Sequence, residues 1–234
     1  MIIKQDPKAL LIHQIKSMYL GGISETTLNK AYPLVLAKLD HCFSHISNKY
    51  YHQGKETLFN PLHVAQWTMF LYEMAHEIGR SGDVDLCDKI YGISKMISSA
   101  DIFYGVSMPD IWFFDHPQGS VMGRAEYSDY FSFSQNCTVG NNKGVYPRFG
   151  KHVSMMSGSK VLGNCNIGDY VIMAANSYVI DQDIPSYSIV FGMGKNTVIH
   201  NITHKQFNDM TGSMFDNTEE KQGEKSCNNY CPGR

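Results

Sequence analysis

Apolar residues recur at every sixth position between residues 102 and 179, a period that fits neither an α-helix nor an alternating strand. Two interruptions shift the phase: one extra residue before Val121, and a longer one at residues 140–148. The apolar positions in this series are Ile102, Met108, Phe114, Val121, Tyr127, Phe133, Val139, Phe149, Met155, Val161, Ile167, Met173 and Val179. A six-residue period is typical of a parallel β-helix, in which about three hexads make one coil.

The segments on either side of the hexads have different patterns. Residues 1–98 carry apolar residues at helical spacing, with one helix predicted to begin at Asn60-Pro61. Pro185 stands where the next inward apolar residue would be, so we expect the regular coil to end there. The fold class predicted is α+β: a helical N-terminal domain at 1–98, a left-handed β-helix domain at 99–200, and a polar, flexible tail at 201–234.

Composition excludes several classes of function. The chain has 234 residues, 43% apolar and 18% charged, as in ordinary globular proteins. A net charge of −2 gives no indication of a nucleic-acid or anionic-membrane partner. No apolar run reaches the roughly 18 residues that a transmembrane segment needs. The N-terminus does not resemble a signal peptide, so a cytoplasmic location is expected.

The cysteines and one histidine of the hexads carry structural expectations. Cys137 and Cys165 occupy the fifth position of a hexad and are predicted to be buried free thiols. Cys227 and Cys231 form a Cys-x3-Cys pair without an adjacent histidine, which is weak evidence for zinc and leaves their role open. His152, in the middle of a regular hexad, is predicted to lie on the surface.

Small residues stack on one side of the predicted coil. Residues 18 apart lie above one another in a three-hexad coil, which places Ser157 over Ala175. This arrangement leaves room for an extended ligand against the backbone. It equally suits a tight corner with no ligand, and the pattern alone does not separate the two.

Two segments carry a family resemblance. They are DIFYGVSMPDIWFFDHPQGSVMG and GKHVSMMSGSKVLGNCNIGDYVIMAANSYVIDQDIPSYSIVFG, within residues 101–192. This region resembles the serine acetyltransferases and the wider hexapeptide-repeat acyltransferase family, including polysaccharide O-acetyltransferases. Asp101 and Asp115 stand 14 residues apart, as in the family's pattern, with His116 next in the chain. The resemblance implies a left-handed parallel β-helix, acetyl-CoA as acyl donor, a homotrimer or dimer of trimers, and an active site between two subunits.

The resemblance also implies roles for individual residues. His116 matches the catalytic histidine and Asp101 the aspartate that orients it. A histidine can accept the hydroxyl proton of an acceptor as it attacks a thioester, and a carboxylate fixes the ring and stabilises the imidazolium. This chemistry needs no metal. Asp115 is the rival orienting carboxylate, but neighbours on a strand point to opposite faces, so we expect it to point away from His116.

For the donor, the resemblance places the pantetheine arm of acetyl-CoA near Ser157 and Ala175. Lys195 matches a region where the family often carries a basic residue near the coenzyme's phosphates. A lysine suits phosphate as a point charge.

The second interruption departs from the family. Serine acetyltransferases carry an Arg-His pair before the proline of this loop, whereas this chain has Val145 and Tyr146 before Pro147. A tyrosine can stack on a sugar face and hydrogen-bond its hydroxyls. The sequence therefore favours O-acetylation of a carbohydrate hydroxyl, such as a capsule or lipopolysaccharide sugar, with Asp115, Tyr146 and Arg148 contacting the acceptor.

Three alternatives remain open at this point. Arg148 could still supply a positive charge, which keeps serine O-acetyltransferase of cysteine biosynthesis as an alternative. A non-catalytic β-helical scaffold is the second. A zinc-dependent carbonic anhydrase of the same fold is the third, and it needs three converging histidines where the coil offers only His116 and His152.

Overall fold

The computed structural model describes residues 1–212 and 214–215. The chain forms four helices and then a solenoid of short parallel strands. Cys227 and Cys231, with most of the predicted tail, lie outside the described residues. The predicted α+β class and the β-helix are confirmed.

The N-terminal region contains the predicted helices and a small sheet that the sequence pattern did not predict. The helices are α1 (Pro7–Met18), α2 (Glu25–Ser44), α3 (Val64–Gly79) and α4 (Val84–Ser98). The sheet has the order β1-β3-β2, with strands β1 (Ile2–Ile3), β2 (His52–Gln53) and β3 (Glu56–Phe59). The predicted start of α3 at Asn60-Pro61 is wrong. His63 is the N-cap, because its side chain accepts a hydrogen bond from the Gln66 amide, and Val64 is the first helical residue.

The coil has three faces, which the chain visits in turn. Face 1 consists of β4 (Asp101–Ile102), β6 (Val121–Met122), β8 (Thr138–Gly140), β11 (Lys160–Leu162) and β14 (Tyr178–Ile180). Face 2 consists of β9 (Arg148–Phe149) and β12 (Asn166–Ile167). Face 3 consists of β5 (Trp112–Phe114), β7 (Phe131–Phe133), β10 (Val153–Met155), β13 (Val171–Met173), β15 (Ser188–Phe191) and the antiparallel β16 (Val198–Asn201).

The first interruption contains two extra residues, where the sequence pattern indicated one. Met122 pairs with Val139 and is 2% exposed, whereas Val121 is 41% exposed. The prediction that Val121 faces inward is therefore wrong. Phe114 to Met122 spans eight residues, whereas the equivalent Phe133 to Val139 spans six. The next hexad is one residue short, so a single extra residue remains in total and the predicted apolar frame resumes at Tyr127.

The coil also continues past its predicted end. Ile184 pairs with Ile167 and is buried, one residue before Pro185. β15 then adds a further strand to face 3, with Val190 inward. The prediction failed because the inward residue comes five positions after Val179 instead of six, which lets Pro185 point away from the core.

Part of the predicted flexible tail is an ordered helix. Helix α5 (His204–Thr211) begins with a capping box between Thr203 and Gln206. Phe207 is buried against Ile172 in a small apolar cluster. This burial explains why residues 204–211 are helical despite their polar composition.

His152 is buried, in contrast to its predicted surface position. It is 2% exposed and its ring stacks between those of Tyr130 and Tyr170, at 4.2 and 4.5 Å. Tyr187 extends the stack by one more ring, at 4.8 Å from Tyr170. All four residues have positive φ, so the turn between faces 2 and 3 sends each ring into the same column. Cys137 and Cys165 are buried free thiols, as predicted.

No helix among the described residues combines the length and apolar character required to cross a bilayer. One apolar core runs from the helices into the coil, through α3 and the first strands of face 3. The helical region is therefore packed directly on the part of the coil that contains the first interruption.

Candidate active site

The first interruption forms a bulge at the corner between faces 3 and 1, which we call the His116 corner. The Asp115 amide still donates to Phe133, and the Asn136 amide donates to Gln118. His116 and Pro117, between these two contacts, are the inserted pair. His116 has φ +48°, and its side chain is 75% exposed. The bulge therefore projects the imidazole out of the coil.

Asp115 lies beside His116. One Asp115 carboxylate oxygen is 3.6 Å from His116 Nε2, an ion-pair distance longer than a good hydrogen bond. The expectation that Asp115 points away from His116 is wrong, because positive φ at His116 removes the alternation of an extended strand. The two side chains are both more than half exposed, so an acceptor can reach them.

Asp101 has different partners from those predicted. Its carboxylate accepts hydrogen bonds from Lys95 Nζ at 2.7 Å and from the Tyr91 hydroxyl, both on α4. Partial burial raises the pKa of Asp101, but the hydrogen bonds from Lys95 and Tyr91 outweigh it and lower the pKa overall. The structure thus ties Asp101 to α4 and places Asp115 next to His116. A role for Asp101 in orienting His116 stays a prediction.

A cavity of about 460 Å³ opens between the helical region and the bulge. Its coil side contains Asp115 and His116. Its helical side consists of residues that the sequence pattern did not identify as functional: Asn48, Tyr50, Tyr51, His63, Val64 and Ala65. These residues come from the segment before β2 and from the start of α3. The sequence pattern gave no signal for them, since it placed His63 inside the helix predicted from Asn60-Pro61.

His63 is the titratable group on the helical side of the cavity. It is half-buried, and its ring packs against those of Tyr50 and Tyr51, at 5.6 and 5.9 Å. Burial lowers the pKa of His63, and the negative charge of Asp115 acts in the opposite direction. Asp115 is therefore close enough to interact electrostatically with both histidines of the cavity.

The residues predicted to bind the donor share the His116 corner. The Gly158 amide donates to Gln135 and the Asn176 amide to Ser157, so Ser157 and Ala175 lie on successive coils below Gln118 and Gln135. Lys195 is exposed in a short turn that follows Met193, and Met193 pairs with Tyr178 of face 1. Since adjacent strands are about 4.7–4.9 Å apart, the corner from His116 to Lys195 spans roughly 19 Å.

The second interruption lies at a different corner, between faces 1 and 2, which we call the Arg148 corner. The loop closes on itself through two backbone hydrogen bonds between Asn142 and Val145. The Tyr146 hydroxyl accepts a hydrogen bond from Asn141 Nδ2 at 3.4 Å. Arg148 Nε donates to the Glu126 carboxylate at 3.1 Å. Within one chain, the structure does not bring Tyr146 and Arg148 together with His116.

The described residues contain no group of three His, Cys, Asp or Glu side chains placed to hold a metal ion. His116 projects from one corner, and His152 is stacked between tyrosines at another. The two histidines of the coil therefore do not converge as the carbonic anhydrase alternative requires.

The chain is similar to serine acetyltransferases in both sequence and structure. No protein-family model matches the chain. A serine acetyltransferase from Staphylococcus aureus strain Mu50 is 29% identical over 176 residues, which is 68% of this chain and 72% of the relative. A serine acetyltransferase structure solved with CoA superimposes with a TM-score of 0.62 at 20% identity, covering 84% of this chain and 85% of the other. Another, solved with cysteine, has a TM-score of 0.68 at 18% identity and covers 90% and 84%.

Proposed function

We propose that this chain, which is similar in sequence to serine acetyltransferases, transfers the acetyl group of acetyl-CoA to the hydroxyl of serine. The carbohydrate acceptor that the sequence favoured is not confirmed. Serine, the alternative acceptor, is better supported because the relatives are serine acetyltransferases. The observation that carries the proposal is the exposed Asp115–His116 pair inside a cavity at the head of the His116 corner.

His116 acts as the general base. Its imidazole accepts the serine hydroxyl proton as the oxygen attacks the carbonyl carbon of the thioester. Asp115, at 3.6 Å, stabilises the imidazolium that forms. The carbon–sulfur bond then breaks, and His116 returns the proton to the departing CoA sulfur. The products are O-acetylserine and CoA.

Asp115 has a second role toward the acceptor. Serine carries an ammonium at neutral pH, and a carboxylate in the cavity attracts it. The Asp115 side chain is 60% exposed, so it can contact the acceptor on one side and His116 on the other. This agrees with its predicted place among the substrate-binding residues.

The donor binds along the His116 corner. Ser157 and Ala175 are small, and their coils leave the backbone open to an extended pantetheine arm. Lys195, at the far end of the corner, would pair with phosphate as a point charge. The alignment of these three residues below His116 supports the proposal, as does the related enzyme solved with CoA.

The assembly proposed is a homotrimer or a dimer of trimers. Face 1 supports this, because Val121 and Ile180 leave apolar side chains exposed on its outer side. In such an assembly the family resemblance implies active sites between two subunits.

A carbohydrate acceptor remains the second candidate, because the Arg148 corner lacks the family's Arg-His pair and Glu126 pairs with Arg148. The test is CoA release from the purified chain with acetyl-CoA and one acceptor at a time: serine, a set of nucleotide sugars, or polysaccharides. We expect selective turnover of serine. Turnover of a sugar acceptor with none of serine would overturn the proposal in favour of the second candidate.

A further inference from the structure

If serine is the acceptor, its carboxylate needs a partner that the Arg148 corner does not provide within one chain. Arg148 is bound to Glu126, and both side chains are more than two-thirds exposed. A charged substrate group left unpaired in a cavity is costly. The inference that follows rests on the proposed function and concerns how the same site recognises the acceptor.

His63 lies on the opposite side of the cavity from Asp115, at the start of α3. Its Nδ1 accepts a hydrogen bond from the Gln66 amide at 3.5 Å, which favours the neutral tautomer that carries its proton on Nε2. An N–H in a half-buried site is a suitable donor to a carboxylate. The rings of Tyr50 and Tyr51 restrict the orientation of the imidazole.

Tyr51 provides a second observation at this side of the cavity. Its hydroxyl is buried and has no hydrogen-bond partner among the described residues, although the residue lines the cavity next to His63. Buried hydroxyls are nearly always satisfied in folded proteins, so an unpartnered one indicates a polar ligand nearby.

We propose that His63 binds the carboxylate of the acceptor while Asp115 binds its ammonium. The cavity then has an anionic side and a donor side, which matches the two charges of an α-amino acid. An amino alcohol without a carboxylate, such as ethanolamine, fills only the Asp115 side. His63 is thus a specificity-determining residue that makes serine the better acceptor.

The test compares serine with ethanolamine as acceptors in the wild type and in His63→Asn. Asparagine caps helices well, so this variant keeps α3 intact while removing the imidazole donor. We expect kcat/KM for serine to fall by about 10- to 100-fold, as for a lost hydrogen bond to a charged group. The value for ethanolamine should change by less than about twofold, so the preference for serine collapses.

A matched control is His13→Asn, which removes an exposed histidine of α1 and should leave the preference unchanged. If the wild type uses serine and His63→Asn keeps its full preference over ethanolamine, the assignment of His63 is overturned and the proposed function stands. Equal losses with both acceptors would also overturn it, because they indicate a structural role. If the wild type does not acetylate serine, the proposed function itself fails.

Discussion

The His116 corner and the Arg148 corner both interrupt the six-residue repeat, but they differ in what the extra residues do. At the His116 corner two extra residues force a positive φ and project an exposed imidazole next to a carboxylate. At the Arg148 corner a longer insertion folds into its own turn, and Arg148 pairs with Glu126. One corner presents reactive groups to a cavity, and the other satisfies its own polar groups.

The difference follows from the length of the insertion. The two-residue insertion forms a tight turn, in which the Gln118 amide donates to the His116 carbonyl at 2.9 Å, and the backbone between Asp115 and Gln118 bulges outward. A longer loop can pair its own amides, as Asn142 and Val145 do, and Asn142 Nδ2 also donates to Asp181 at 2.6 Å. In this chain the shorter insertion therefore leaves its side chains exposed, whereas the longer one is held by contacts within the coil.

The substitution His116→Asn tests most directly whether the His116 corner is catalytic. Asparagine tolerates positive φ, so the bulge should persist without its base. We expect kcat for serine acetylation to fall about 10²- to 10⁴-fold, measured as CoA release, with the dissociation constant of acetyl-CoA unchanged. His13→Asn serves as the control for removing a histidine. Undiminished turnover in His116→Asn would eliminate the catalytic assignment of this corner.

The next prediction concerns the donor edge below His116. Ser157→Trp should obstruct the His116 corner and raise KM for acetyl-CoA by about tenfold or more, since an overpacked contact costs about 1–3 kcal/mol. The matched control is Asn164→Trp, an exposed position in the same solenoid on the Arg148 side. We expect its KM to stay near the wild-type value. Similar increases in both variants would show that donor binding does not distinguish the two corners.

Much of the coil could be predicted because each hexad repeats the same requirement for an inward apolar residue. The frame failed at Val121 because its neighbour Met122 is also apolar, so hydrophobicity could not choose between them. It failed at Pro185 because the inward residue of that hexad, Ile184, came one position early. His152 was misplaced for a related reason: a positive φ at the turn directs its ring into an aromatic stack, which periodicity does not encode.

The residues of the site likewise divide into those that the sequence predicts and those that it does not. His116, Ser157, Ala175 and Lys195 were predicted from the repeat and the resemblance, and the structure aligns them along one corner. His63 could not be predicted, because it reaches the cavity only through the packing of α3 against face 3. Residues more than 50 positions apart meet there, and no spacing rule connects them.

The weakest effect on the KM for serine is predicted for a substitution at the Arg148 corner. Arg148→Met should change KM for serine by less than about twofold, because the exposed pair with Glu126 contributes at most about 1 kcal/mol and the residue lies at another corner from His116. The measurement is the serine KM at saturating acetyl-CoA, alongside His63→Asn. Glu126→Gln is the companion variant, since it removes the partner and leaves the arginine charge unpaired. A large increase in KM for Arg148→Met, with His63→Asn unaffected, would mean that the acceptor carboxylate is bound by the Arg148 corner of a neighbouring subunit. The two corners would then act on one substrate, and the contrast between them would hold only within a single chain.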